Sequence, residues 1–183
     1  MQVDARLRRL EGCRVGKAAD VQKEEQNSAG PLFPDGCFDK ILLDPSCSAM
    51  GQRPLLRWGI SAEEVRSHAD YQKQFLRTAV RLLAEGGEMV YSTCTLTPEE
   101  NEENVHWALS TLPVELLDAR QQAFQPAERD SEVLAGLRGC GLSESQRLQV
   151  LRFDPRSWDA GFFISRFRKA SAEKAKCVDP SAD

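Results

Sequence analysis

The chain has 183 residues, 41% hydrophobic and 28% charged, with a formal net charge of -4. That is enough for one domain around one core, and it excludes a global basic field of the kind that advertises a nucleic-acid partner, so any RNA contact is expected to be local. No stretch approaches the roughly 20 apolar residues of a membrane span, and the opening MQVDARLRRLEG lacks the apolar core of a signal peptide, so a soluble intracellular protein is expected. Six cysteines (Cys13, Cys37, Cys47, Cys94, Cys140 and Cys177) are scattered without a C-x-x-C pair, and only two histidines accompany them. No metal site is expected, and in a reducing compartment the thiols stay free.

Along the chain, VDARLRRLEG reads as helix and CRVGKAAD as a short strand, followed by the polar linker VQKEEQNSAGP. FDKILLDPSC (38–47) is an apolar run ending in Asp, Pro and Ser, the pattern of a strand buried on both faces that then enters a loop. Ser61-x-x-Glu64 forms a capping box, and Phe75, Ala79, Leu82 and Leu83 recur at helical spacing, predicting a helix over about 62–84 that stops at Gly86-Gly87. GEMVYSTC (87–94) predicts the next strand. Thr97-Pro98-Glu99-Glu100 predicts the cap of a helix running to about Ser110, with PVELLDA (113–119) a further strand. Strand and helix alternate as in a doubly wound α/β sheet. Residues 120–142 have no clean period and predict a long loop with little secondary structure. Ser143-x-x-Gln146 predicts a short helix before FDP, and GFFISRFRK (161–169) a final strand. The tail from about 170, rich in Ala, Lys and Ser, predicts disorder.

Two of the cysteines sit where chemistry is possible. Asp44 and Cys47 follow the end of one predicted parallel strand, and Cys94 follows the end of the next. In open α/β sheets that edge is where ligands bind, so two thiols and a carboxylate converge on one crevice, and a thiolate there can attack an electrophilic carbon. Position alone favours two plain buried cysteines and a loop-capping aspartate by roughly two to one.

The surrounding words carry more. ILLDPSCSAMGQRP, then one helix, then GEMVYSTCTLTPEENEENV, closely resembles the RsmB/NOP-type (Sun-domain) RNA 5-methylcytosine methyltransferases, which carry two cysteine motifs at this spacing. MGQRP, RFDP and the closing GFFISRF resemble more narrowly the sixth Sun-domain subfamily, whose members methylate certain transfer RNAs. The resemblance covers roughly 38–169. It implies a partial class I S-adenosylmethionine-dependent methyltransferase (Rossmann-like) sheet lacking its first two strands, with residues 1–169 a partial domain and 170–183 a tail.

It also implies roles, residue by residue. Cys94 in YSTCT matches the nucleophile that adds to carbon 6 of a flipped cytosine, so that carbon 5 takes a methyl group from S-adenosylmethionine. Cys47 in DPSCS matches the second cysteine, which helps release the methylated RNA. Asp44 matches an aspartate beside both cofactor and base, assigned to catalysis and to cofactor binding. Asp20, closing GKAAD, matches on a short stretch the aspartate that touches the cofactor adenine. RNA, by this resemblance tRNA, is the implied partner, and a cytoplasmic location is expected, with nucleus and nucleolus left open.

Departures from the family pattern set further expectations. The family usually reads Asp-Ala-Pro-Cys-Ser-Gly where this chain reads Asp44-Pro45-Ser46-Cys47-Ser48-Ala49, so a backbone needing positive φ at Ala49 would strain the loop and displace Cys47. No match is found for the glycine-rich Asp-x-Cys-Ala-x-Pro-Gly-Gly-Lys loop that cradles the methionine moiety. A sheet without its first strand leaves strand 38–43 with a bare edge, and a chain with such an edge is expected to be unstable or to associate. A form without chemistry, binding RNA or a partner, is the alternative function.

Other features have plainer readings. Lys73, Arg77 and Arg81 recur every four residues, either as a phosphate-facing stripe or as a solvated helix face near Glu63 and Glu64. Arg53, in the loop after the first motif, is better placed for RNA. His68 and His106 fall on predicted helices, which argues against a cysteine hydrolase. Trp107 is expected in the core, while for Trp58 and Trp158 core and base-stacking roles stay open.

Overall fold

The computed structural model describes residues 33–53, 59–120 and 133–171. The predicted helix VDARLRRLEG, the strand CRVGKAAD with Asp20, Trp58 and the tail beyond 171 lie outside the described residues. Nine elements follow in order: β1 (Phe38–Leu43), α1 (Ala62–Leu82), β2 (Leu83–Thr93), α2 (Glu102–Thr111), β3 (Val114–Leu117), β4 (Val133–Leu134), α3 (Glu144–Gln149), β5 (Leu151–Phe153) and β6 (Phe162–Lys169).

β1 and β2 pair in parallel, Ile41 beside Met89 and Leu43 beside Tyr91, with α1 as the crossover between them. β6 lies antiparallel on the other side of β2, with Tyr91 opposite Ser165. The far edge of β6 is shared: β3 pairs with residues 166–169 and β5 with residues 162–164, both antiparallel. β4 closes the sheet against β5. The sheet is thus α/β and Rossmann-like, with its last strand inserted in reverse between β2 and β3.

Alternation along β6 separates two cores. Phe163 and Phe167 join the main cluster with Leu43, Leu76, Leu83, Met89, Tyr91 and Val105. Phe162 and Ile164, pointing the other way as strand geometry requires, pack on Ala119, Val133, Leu151 and Phe153. α1 buries Val65, Ala69, Gln72, Leu76, Ala79 and Val80 at a helical period. Its capping box is complete: Ser61 accepts from the Glu64 amide at 3.1 Å and the Glu64 carboxylate accepts from the Ser61 amide at 2.9 Å. Ser143 and Gln146 cap α3 in the same way.

Four expectations need correction. α1 ends at Leu82 rather than at the glycines; Gly86, at φ 71°, lies within β2, where the β1 pairing shifts register. α2 begins at Glu102, with Asn101 as its N-cap, because Glu100 is drawn inward instead of back toward Thr97's amide. Val133–Leu134 form a strand inside the predicted long loop, and Leu151–Phe153 form one after the short helix, where no strand was expected before FDP.

Among the described residues β1 pairs on one side only, and Leu42 on it is 42% exposed. Heating the isolated chain should therefore give a transition that depends on protein concentration, as copies meet along that edge. A cooperative transition of a monomer, checked by light scattering, would count against it.

Candidate active site

Asp44 leaves the end of β1 and Cys94 leaves the end of β2, so the parallel pairing of these strands brings both loops to one edge of the sheet. A backbone stitch holds them: the Gly51 amide donates to the Cys94 carbonyl at 2.9 Å, and the Gly161 amide donates to the Gly51 carbonyl at 2.7 Å. A Cβ at Gly51 would overlap the Gly161 carbonyl and stand 2.9 Å from the Cys94 oxygen, so MGQRP needs glycine for this approach.

The two sulfurs lie 3.3 Å apart, in hydrogen-bond contact and too far for a disulfide. Gln52 Nε2 reaches Cys94 Sγ at 3.5 Å. The Cys94 thiol falls from 9.0 to about 7, chiefly because the Cys47 thiol donates to its sulfur, against opposition from burial and from the charge of Asp44. Cys47 is pushed up by the same bond and by burial, so Cys94 is the one poised as thiolate. Asp44 is exposed, and one of its carboxylate oxygens accepts from Ser92 Oγ at 3.0 Å. The side-chain partners of the two thiols among the described residues are each other and Gln52, with no histidine; His68 lies on α1 and His106 on α2.

Ala49 has φ 58°, the left-handed conformation that the missing glycine would have favoured. Cys47 keeps its contact with Cys94 nonetheless, so the expected displacement does not occur. Ala49→Gly should relieve the strain and raise stability by about 1 kcal/mol. An unchanged denaturation midpoint would show that the loop absorbs the strain at no cost.

The structure thus brings Asp44, Cys47 and Cys94 together. Arg53 is exposed and lines an open cavity of about 380 Å³ with Leu96, Arg152, Phe153 and Arg156. The stripe on α1 is engaged within the chain: Lys73 pairs with Asp70 at 2.8 Å, Arg81 pairs with Asp35, and the Arg77 guanidinium stacks 4.8 Å from the Trp107 ring. Trp107 packs half-buried against the main core, and Trp158 stands edge-on to Phe153. Sequence reasoning missed the buried polar layer beneath the loops: Gln72, Glu100, Asn101, Glu102, Asn104 and Arg152. The signal was PEENEEN (98–104), acids and amides with no solvated helical face to fill.

Among the described residues no group of three His, Cys, Asp or Glu side chains could hold a metal ion, and no helix is long and apolar enough to cross a membrane.

The sheet and the two cysteine loops define a Rossmann-like α/β fold with a thiol pair at the carboxyl ends of its parallel strands. Residues 2–168 match the family model described as 16S rRNA methyltransferase RsmB/F, and the chain belongs to that family. It is 36% identical over 185 residues to the mouse tRNA (cytosine(72)-C(5))-methyltransferase NSUN6, covering 87% of this chain and 37% of that protein. The human protein of the same name is 41% identical over 139 residues, covering 76% of this chain and 28% of that protein. A crystal structure of NSun6 from Pyrococcus horikoshii with SFG aligns with TM-score 0.56 at 36% identity, covering 73% of this chain and 30% of that chain. The chain therefore spans between about a quarter and two fifths of the length of these relatives.

Proposed function

We propose that the chain carries the catalytic cysteine pair of an S-adenosylmethionine-dependent RNA cytosine-5 methyltransferase, with tRNA as substrate. The observation that carries this reading is the 3.3 Å contact between Cys47 and Cys94 at the strand ends, beside Asp44. The Cys94 thiolate adds to carbon 6 of a flipped cytosine, while Asp44 holds the ring and stabilises its protonated form. Addition makes carbon 5 a nucleophile, and S-adenosylmethionine, when bound, supplies the methyl group it takes. Loss of the carbon 5 proton then expels Cys94 as thiolate, a step assisted by Cys47.

Of the residues expected to touch the cofactor, Asp44 is exposed at the strand end with an acceptor oxygen suited to an amino group, and Asp20 lies outside the described residues. The test is 5-methylcytosine in tRNA, by mass spectrometry, after incubation with labelled S-adenosylmethionine. Label in the native chain and none with Cys94→Ala supports the reading. Label that survives Cys94→Ala contradicts it. A form that binds RNA or a partner without chemistry is the second reading, favoured by the pairing of β1 on one side only among the described residues. Measurable S-adenosylmethionine binding by the 183-residue chain would count against it.

Arg53 is the RNA contact of this proposal, set in the cavity that opens beside Leu96, two residues past Cys94. Arg53→Glu should weaken RNA binding for every sequence and reduce its salt slope by about 1, as loss of a phosphate contact does. Binding with an unchanged salt slope would remove Arg53 from the interface.

A further inference from the structure

Glu100 is wholly buried, yet it belongs to none of the reacting groups. Its carboxylate accepts four hydrogen bonds. One oxygen receives Ser48 Oγ and Thr97 Oγ1; the other receives the Ser48 amide at 3.0 Å and Gln72 Nε2 at 2.8 Å. Gln72 Nε2 also donates to the Ser46 carbonyl at 3.0 Å. Residues on both sides of Cys47 are thereby gripped by one carboxylate and its amide partner. On the other side Thr97 belongs to the loop that begins at Cys94, and Thr95 Oγ1 meets Ser48 Oγ at 2.7 Å. Tyr91, with its hydroxyl on the Glu100 carbonyl at 2.6 Å and on Gln72 Oε1 at 2.9 Å, roots the strap in β2.

A buried carboxylate is costly unless its acceptor sites are filled, and here neutral donors from both cysteine loops and from α1 fill them. A network built only for packing would serve equally well with an apolar side chain. From this juxtaposition we propose that Glu100 is a positioning residue: it straps the Cys47 loop to the Cys94 loop and sets the separation at which the Cys47 thiol reaches the Cys94 sulfur. The proposal rests on the reading of Cys94 as nucleophile for its relevance to catalysis, but its test involves neither RNA nor cofactor.

The charged and titratable groups facing Cys94 are Cys47 and Asp44 from the first loop, with Gln52 as a neutral donor. Two roles for Glu100 then predict opposite signs. If it acted as a nearby negative charge, removing it would ease ionisation of Cys94. If it acts by holding Cys47 in place, removing it takes away the thiol that stabilises the Cys94 thiolate, and ionisation becomes harder.

Alkylation of Cys94 by iodoacetamide, followed by peptide mass spectrometry across pH, separates the two in the 183-residue chain. Glu100→Ala should slow alkylation at pH 7 about fivefold and move the midpoint up by about one unit. Glu100→Gln should stay within about threefold of native, because its oxygen can face the amide donors and its amide can face the two hydroxyl oxygens. Ser48→Ala removes the hydroxyl bonds of the first loop to Glu100 and Thr95 while the Ser48 amide stays on the carboxylate, so it loosens the strap in part and should slow alkylation about threefold. Should Glu100→Ala fail to fold, Ser48→Ala and Glu100→Gln decide. Native profiles for the Ala variants, a lowered midpoint in Glu100→Ala, or Glu100→Gln shifting as far as Glu100→Ala would each overturn the proposal. The expected shifts in the variants together with no methylation of tRNA by the native protein would leave the positioning role standing and sink the proposed function instead.

Discussion

Replacing Cys94 by alanine should lower RNA methylation at least about 10³-fold and abolish any RNA adduct, on the scale that loss of a catalytic nucleophile costs. Replacing Cys47 by alanine should do something different: the enzyme should remain covalently attached to its RNA. The asymmetry follows from the pair's geometry. With the sulfurs 3.3 Å apart, the Cys47 thiol donates to the Cys94 sulfur, which brings Cys94 down to about 7 and holds Cys47 protonated. Near pH 7 Cys94 is thus far more readily ionised than a thiol at the ordinary value of 9.0. Cys47→Ala therefore slows adduct formation at pH 7, and the rate recovers as pH rises toward 9. What it cannot recover is release, since no second thiol stands beside the departing sulfur. Denaturing gels of labelled tRNA across pH 6–9 check both statements. Equal loss of adduct in the two variants, or normal turnover in Cys47→Ala, would remove the division of labour.

Arg152→Ala should cost about 3–5 kcal/mol of stability, the range for stranding one member of a buried ion pair. Glu102 is 0% exposed at its side chain and Arg152 8%. The guanidinium bonds both carboxylate oxygens through Nε and Nη2, and Nη2 also donates to the Leu96 carbonyl at 3.0 Å. Glu102 accepts the Leu137 amide at 2.9 Å as well, so this pair joins the start of α2, the Cys94 loop, β5 and the segment after β4. Truncation leaves a buried carboxylate and a carbonyl without their donor. Arg152→Lys should lose much of the same energy, because an ammonium cannot span both oxygens in one plane. Glu102→Leu combined with Arg152→Met should cost less than Arg152→Ala alone, with only the Leu137 amide and Leu96 carbonyl left short. Urea midpoints of the three variants measure this, and a single-variant loss below about 1 kcal/mol would show water reaching the pair.

Both loops of the site were legible because each combines a short apolar strand with an abrupt switch to Asp, Pro, Ser or Thr, and the parallel pairing of β1 with β2 does the rest. α1 was legible from Ser61 and Glu64, whose bonds are local and need no tertiary help. The order of the sheet was not: β6 reads as any strand, and its reversed insertion between β2 and β3 depends on long-range pairing that no local pattern encodes. β4 and β5 were missed because two and three residues leave no period to detect. Thr97 to Glu100 reads as a capping box, yet the carboxylate has better partners in Ser48 and Gln72, so tertiary contacts overrode the local choice. Gln72 likewise looks like a polar break in the apolar stripe of α1 and is instead a fully buried member of the layer under the cysteines.

The most direct measurement uses RNA carrying 5-fluorocytosine, supplied with S-adenosylmethionine to the longest natural polypeptide that contains these residues. Fluorine at carbon 5 cannot leave as a proton does, so an enzyme that adds through sulfur is caught after methyl transfer. The expected result is an adduct stable to denaturation, with the nucleotide mapped by mass spectrometry to Cys94 and absent in Cys94→Ala. Methylation of ordinary RNA with no adduct at Cys94, or an adduct mapped to Cys47, would contradict the assignment of Cys94 as nucleophile.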